Sequence, residues 1–389
     1  MSKQHKLATK IAALIAAIFS TAATAVAQPS REPAHLEFAI QGEPATTYRW
    51  KTDKCAPDAL PDSPARAFRR ADGNIVLLAT HYENWVLVGP KLDKVRPTCR
   101  TVLSSNELDP TGDEKFWLQA VFTRDGRHVA ALVSHDLSGV IRRSGCDSKG
   151  LPGRCWLNDI VGAISTDMGA SFQRTAQFSR TIAGLGGIYE GKTARFGVFT
   201  ATNIVTMEGA QYVMVYAQGE DRQAPGNCLL RTTNPFDPSA WRAWDGTAFS
   251  VDMSTGAPCA PVGIGALHGE ARSISLHKKC GCWITIFASR LRLPGDEAPI
   301  PGFYASESSD LKTWKPPVRI MQAPTRPREF QNEYFYVYPS LIDPDSKSLN
   351  FDTIEGDTAR LFFTLHHLDK GKGTLDRDLV SVLVSIKLK

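Results

Sequence analysis

One pattern recurs five times along the chain and limits what it can fold into. An apolar-rich run leads to a tight turn, a second strongly apolar run follows, and that run ends on polar residues. The first unit has Ala65–Phe68, the turn Asp72-Gly73-Asn74 and Ile75–Ala79, ending at His81. The second has Trp117–Phe122, the turn Arg124-Asp125-Gly126 and His128–Val133, ending at His135-Asp136. The third has Asn203–Val205, Glu208-Gly209 and Tyr212–Ala217, ending at Gln218-Gly219-Glu220. The fourth has Arg272–Leu276, a turn over Lys278–Gly281 and Trp283–Ala288, ending at Ser289-Arg290. The fifth has Tyr338–Ile342, a longer turn and Leu361–Leu365, ending at His366-His367. Asp-Gly between two β-patterned runs is a strong short-range hairpin signal, so each unit reads as beginning with a hairpin.

The second half of each unit repeats as well. Ser165-Thr166-Asp167-Met168-Gly169-Ala170-Ser171-Phe172 has the chemistry of a turn: Asp167 can accept from nearby backbone N–H groups and Gly169 can take φ > 0. Phe172 closes it, and Trp241 and Trp314 close the corresponding stretches of the next two units. These aromatics recur roughly seventy residues apart, as do the inner runs, and four strands per unit of that length fit propeller blades. The expectation is therefore an all-β chain forming one five-bladed β-propeller over residues 61–389. Residues 28–60, with Pro33, Pro44 and Pro57, read as an N-terminal extension that wraps it. A six-bladed, sialidase-like propeller in which residues 30–60 supply a blade is the structural alternative. Val380–Leu388 is expected as the closing outer strand, and 104–116 and 180–196 as loops.

Strand direction then assigns faces. The start of each innermost strand and the end of the second share one face, and the Asp-Gly turns and Ser165–Phe172 lie on the other. The top mouth should hold Asp62, Glu114, Trp117, Asn203, Glu270, Arg272 and Tyr338 from strand starts. From strand ends it should hold His81, His135, Asp136, Gln218, Glu220, Arg290 and His366. Any one of these is more often a solvated strand end than a catalytic group. The set as a whole is the inventory of a carbohydrate site: carboxylates for proton transfer or nucleophilic attack, amides and imidazoles for hydroxyls, aromatic faces for sugar rings.

Ser165–Phe172 resembles the Asp-box of sialidases and related β-propellers. The five-unit pattern resembles the arabinanase, xylosidase and fructosidase propellers. The latter resemblance implies an Asp opening the first inner strand, a second Asp and a Glu acid from a later blade. Asp62, in Asp62-Ser63-Pro64-Ala65-Arg66, takes the first position as base or nucleophile, Asp136 the second, and Glu270, in Gly269-Glu270-Ala271-Arg272, the third as acid. Substrate contacts are expected from Arg66, His81, Trp117, His135, Asn203, Gln218, Arg272, Tyr338 and His366. The sialidase resemblance implies instead an arginine clamp from Arg66, Arg231 or Arg272, and Arg290, with Tyr338 as nucleophile. The expected activity is hydrolysis or recognition of a glycan; a non-catalytic glycan- or protein-binding propeller and a sialidase are the alternatives.

The N-terminus reads as a secretory signal over residues 1–27. Lys3, Lys6 and Lys10 precede the apolar run Ile11–Phe19, and Ala25-Val26-Ala27 is an A-x-A cleavage site. No other stretch approaches the ~18 apolar residues of a membrane span. The exported protein, periplasmic or extracellular, then starts near Gln28. The chain carries +5, and losing the three leader lysines leaves +2, which excludes a basic nucleic-acid surface. No cofactor is implied; a structural Ca²⁺ in the channel is left open, and a monomer is expected. The eight cysteines suit disulfides in an oxidising compartment. Cys146–Cys155, in the long loop 138–158, is the best local pair, followed by Cys55–Cys99 and then Cys228–Cys259. Cys280 and Cys282 read as too close for an easy mutual bridge.

Overall fold

A computed structural model of the chain describes residues 36–105, 115–138, 156–174, 181–186 and 195–389 apart from 328, 330 and 331. Strand β1 (Leu36–Tyr48) and the single-turn helix α1 (Trp50–Asp53) precede a series of antiparallel meanders. The first comprises β2 (Arg66–Arg69), β3 (Ile75–Leu78), β4 (Asn84–Gly89) and β5 (Arg96–Leu103). The second comprises β6 (Lys115–Thr123), β7 (Val129–Ser138), β8 (Trp156–Ser165) and β9 (Thr181–Ala183). The third runs β10 (Arg195–Ala201), β11 (Val205–Met207), β12 (Ala210–Gly219), β13 (Gln223–Thr232), β14 (Arg242–Trp244) and β15 (Phe249–Val251). The fourth has β16 (Ser273–His277), β17 (Cys282–Leu291), β18 (Ile300–Ser308) and β19 (Val318–Gln322). The fifth has β20 (Tyr334–Ile342), β22 (Thr358–Asp369) and β23 (Lys372–Leu388), while the two-residue β21 (Thr353–Ile354) between β20 and β22 pairs in parallel with β16 of the fourth. A short parallel pairing of Arg195–Gly197 with Trp156–Asn158 joins the second and third meanders into one hydrogen-bonded sheet.

The two-residue period of the strands decides how the meanders pack. On β3, Val76 and Leu78 join a core with β6 and β7, whereas Ile75 and Leu77 join a core with Phe362 and Leu379 of the fifth meander. On β22, Phe362 faces that core while Leu361 and Phe363 face Ile284, Ile286 and Phe303 of the fourth. Two further cores lie between the second and third meanders and between the third and fourth. Each meander is thus buried on both faces, and the five cores link first to second and onward back to first. The fold is an all-β propeller.

Arg66 sits where the inner strands converge and is 2% exposed. Its guanidinium donates to the carbonyls of Ala65 (2.9 Å), Gln119 (2.9 Å), Ala201 (2.7 Å) and Arg272 (2.7 Å), and to Ser340 Oγ (3.3 Å). Those acceptors come one from each meander. A buried guanidinium without a carboxylate is tolerated because its donors are met by fixed backbone dipoles.

Three expectations are corrected here. Val380–Leu388 is not the outer strand: β1 pairs antiparallel along β23, Leu36 opposite Leu388, and so covers its edge. Residues 36–48 therefore complete the fifth meander and form no sheet of their own. Gly42 and Pro44 interrupt the β pattern at a register shift, which hides the strand in the sequence. Second, the third inner strand begins at Arg195, inside the stretch read as loop, and breaks around Asn203 before resuming as β11. Third, Cys280 and Cys282 are bridged to each other, alongside Cys55–Cys99 and Cys228–Cys259. Gly281, with φ 64°, supplies the reversal that brings the two sulfurs together. The leader, Glu114 and the Cys146–Cys155 pairing lie outside the described residues.

The turn at Ser165–Phe172 is a hydrogen-bonded knot. Asp167 accepts from Ser171 N (2.9 Å) and from the Ser165 and Ser171 hydroxyls (both 2.7 Å), and Ser165 Oγ accepts from Gly169 N (2.8 Å). Phe172 is buried in the core between the first two meanders and donates its N–H to Val102 O (2.7 Å).

Candidate functional site

A pocket of about 600 Å³ opens where the inner strands begin. Its wall includes Asp62, Trp117, Gln119, Asp136, Trp156, Arg195, Thr200, Tyr216, Glu270, Arg272, Arg290, Arg326 and Tyr338. Arg66 is not among them; it bonds the carbonyls of the wall residues Gln119 and Arg272 and, on the other inner strands, acceptors one or two residues past the wall.

The strands are irregular where they line it. Register shifts fall between Leu118 and Ala120, between Phe199 and Ala201, and between Val337 and Ser340. Each skipped stretch presents a pocket residue: Gln119, Thr200 and Tyr338. Thr200 (φ 44°) and Tyr338 (φ 57°) adopt left-handed backbone, which is costly for side chains of this kind. Bulges re-aim side chains, and here they turn two toward the cavity while freeing carbonyls for Arg66.

Two carboxylates are held in contrasting ways. Asp62 Oδ1 accepts from Tyr338 OH (3.1 Å) and from Arg377, and its Oδ2 lies 3.7 Å from His81 Nε2. Burial raises its pKa above the usual carboxylate value, and the opposing effects of Arg377, Tyr338 and Lys115 do not cancel that. Glu270 also feels a large burial effect upward. There the charges of Arg272 and Arg195 win, aided by hydrogen bonds from Arg195 and Thr200, and its pKa is lowered. Arg272 Nη2 lies 2.6 Å from Oε2, Arg195 meets Oε1, and Thr200 Oγ1 is 3.3 Å from Oε2. Arg195 is packed among Phe199 (4.5 Å), Tyr216 (5.2 Å) and Trp156 (5.7 Å), which fixes its fork on Glu270. Asp136, the third carboxylate, accepts from Trp156 Nε1 at 2.7 Å.

Of the expected site residues, Asp62, Asp136, Glu270, Trp117, Arg272 and Tyr338 line this pocket. The others do not. Asn203 spends its amide on Ile274, donating to O at 2.7 Å and accepting from N at 2.8 Å, and so ties the third meander to the fourth. His135 stacks on Phe116 with ring centroids 4.3 Å apart. His366 is buried beside Phe335, with a pKa pushed down to about 3 by burial, Arg377 and His367. Gln218 pairs opposite Gly197 and is not on the wall. The arginine clamp is not assembled as expected: Arg66 is the axial plug, and Arg231 donates to Tyr212 OH (3.1 Å) away from the pocket. Arg272 and Arg290 are on the wall, joined by Arg195 and Arg326, which sequence reasoning missed. Arg195-Phe196-Gly197-Val198-Phe199 carries enough apolar character to mark a strand with arginine at its start, the signal that would have found it.

No protein-family model and no curated protein sequence matches the chain. Solved structures match its course. They include the α-L-arabinofuranosidase from Podospora anserina in complex with cellotriose, at 9% identity, TM-score 0.49, covering 90% of this chain and 96% of that one. The Cellvibrio cellulosa α-L-arabinanase matches at 8% identity, TM-score 0.45, with coverage of 81% and 90%. A glycosyl hydrolase from Bacteroides ovatus matches at 9%, TM-score 0.45, with coverage of 87% and 94%. Identity this low says nothing of substrate.

Proposed function

We propose that the chain is an exported glycan-processing propeller, a glycoside hydrolase, with each of the five meanders a blade. The observation that carries this is the pair Asp62 and Glu270 in one polar, aromatic-edged pocket, with pKa values pushed apart by their surroundings. Two carboxylates in contrasting environments are the working parts of glycosidic hydrolysis. The electrostatics favour Asp62 as the proton-holding acid and Glu270 as the ionised partner, the reverse of the order the sequence suggested. Asp136 completes the carboxylate set, and Trp117 and Trp156 offer sugar-stacking faces. The disulfides suit an oxidising compartment, consistent with export.

The test is turnover of a broad glycan panel. Asp62→Asn should cut turnover of natural glycosides by ~10²–10⁴-fold and spare aryl glycosides, whose leaving groups need no proton. Glu270→Gln should depress both. Folding and ligand retention should persist in Asp62→Asn.

A binding-only propeller is the second reading, favoured because both Glu270 oxygens and Asp62 Oδ1 are already engaged by protein donors. Retention of a glycan with no turnover of any panel member would establish it and sink the hydrolase. Arg290 and Arg326 line the wall without a carboxylate partner among the described residues, so the panel should include uronate and sialylated glycans beside neutral ones.

A further inference from the structure

The β22–β23 hairpin carries a second cluster, outside the pocket. His367, Asp376 and Asp378 each offer a metal-ligating atom, and the three atoms lie within 4.8 Å of one another. None of the three lines the pocket. The two-residue period of β23 puts Asp376 and Asp378 on the face opposite Arg377, which reaches inward to Asp62.

The cluster is well anchored. Asp378 has a 4% exposed side chain; its Oδ1 accepts from Trp50 N (2.8 Å) and its Oδ2 faces His367 Nε2 at 3.3 Å. Thr374 Oγ1 donates to His367 O (2.7 Å) and accepts from Asp376 N (3.1 Å), fixing the two arms of the hairpin. Asp376 is 9% exposed. Its Oδ2 meets Lys51 Nζ at 3.0 Å, on a lysine side chain that is 70% exposed. Its Oδ1 is shut from solvent and has no hydrogen-bond partner among the described residues. A buried carboxylate oxygen without a donor is a cost that a cation removes.

We propose that His367, Asp376 and Asp378 form a binding site for a divalent cation of borderline softness, of the Zn²⁺ class. One imidazole and two carboxylates suit such ions. Ca²⁺ takes six to eight oxygens and is poorly served by this set. Lys51 is the cation's competitor: it partly neutralises Asp376 and, being exposed, can swing into solvent. A bound cation also stiffens the hairpin that presents Arg377 to Asp62. The site is independent of the glycan reading.

The probe is Zn²⁺, with Ca²⁺ in parallel, by equilibrium dialysis against chelator-treated full chain kept oxidised so that Cys280 and Cys282 stay bridged. One Zn²⁺ per chain is expected to bind, with Ca²⁺ weaker by about tenfold or more. Asp376→Asn and His367→Gln should each weaken Zn²⁺ binding by about tenfold or more, without shifting the melting temperature measured in chelator. Lys51→Ala, at an exposed position, should tighten Zn²⁺ several-fold. Absence of saturable Zn²⁺ binding, binding indifferent to His367→Gln, or a Lys51→Ala variant that binds more weakly would each overturn the site.

Discussion

At the scale of single residues, Asp62 and Glu270 should leave opposite marks on stability. Glu270 has a folded pKa below its unfolded value, so its carboxylate contributes stability that is present above the unfolded pKa and lost as pH falls through the folded one. Asp62 has a folded pKa above its unfolded value. The fold therefore holds its proton more tightly, and stability is lost as pH rises from the unfolded to the folded pKa. Urea denaturation across acid to neutral pH should show Glu270→Gln less stable than the parent near neutrality and Asp62→Asn more stable. Both differences should shrink in acid. Equal behaviour of the two variants would mean that the pocket does not separate their pKa values. A gain of stability on removing a catalytic acid is the expected sign of a site built for chemistry rather than for folding.

At the scale of elements, the turn at Ser165–Phe172 is a structural device on the far side of the strands from the pocket. Asp167→Ala removes one backbone and two hydroxyl donors' acceptor, and should cost about 1–2 kcal/mol. Glycan turnover by the folded fraction should stay at the parental rate; a loss of rate at intact stability would place Asp167 in the site. This turn, and the hairpins with Asp-Gly or Glu-Gly, were legible because glycine and aspartate announce their geometry locally. The strand pairs Arg66–Arg69 with Ile75–Leu78 and Lys115–Thr123 with Val129–Ser138 followed from them. Other elements were not legible, for physical reasons. The inner strand Arg195–Ala201 follows no hairpin signal, and its partner on one side is the parallel β8. Strand β1 finds its partner more than 330 residues away, at the other end of the chain, so no neighbouring turn marks it. Pocket residues at strand starts could be placed by direction alone. Thr200 needed the bulge between Phe199 and Ala201, and Arg377 needed the register of β22 with β23, neither of which a periodic pattern reveals.

At the scale of the whole molecule, Arg66 is a partner shared by all five meanders. Sequence position suggested a substrate contact, because the residue follows Asp62 at the head of the first inner strand. Yet its guanidinium is spent on one acceptor from each meander. The two roles make different demands. A substrate contact predicts a raised KM with stability untouched. A plug predicts that Arg66→Met strands the carbonyls of Gln119, Ala201 and Arg272 in a water-poor axis, at about 3 kcal/mol or more. Arg66→Lys should fall between, since an ammonium has three donors and no planar fork to serve five acceptors. Chemical denaturation of the parent and both variants orders them. If Arg66→Met stays within about 1 kcal/mol of the parent while its KM rises, the plug is refuted. If the ordering is parent, then Lys, then Met, the closed floor of the pocket is held by Arg66. The pocket is then entered from the Asp62 and Glu270 side.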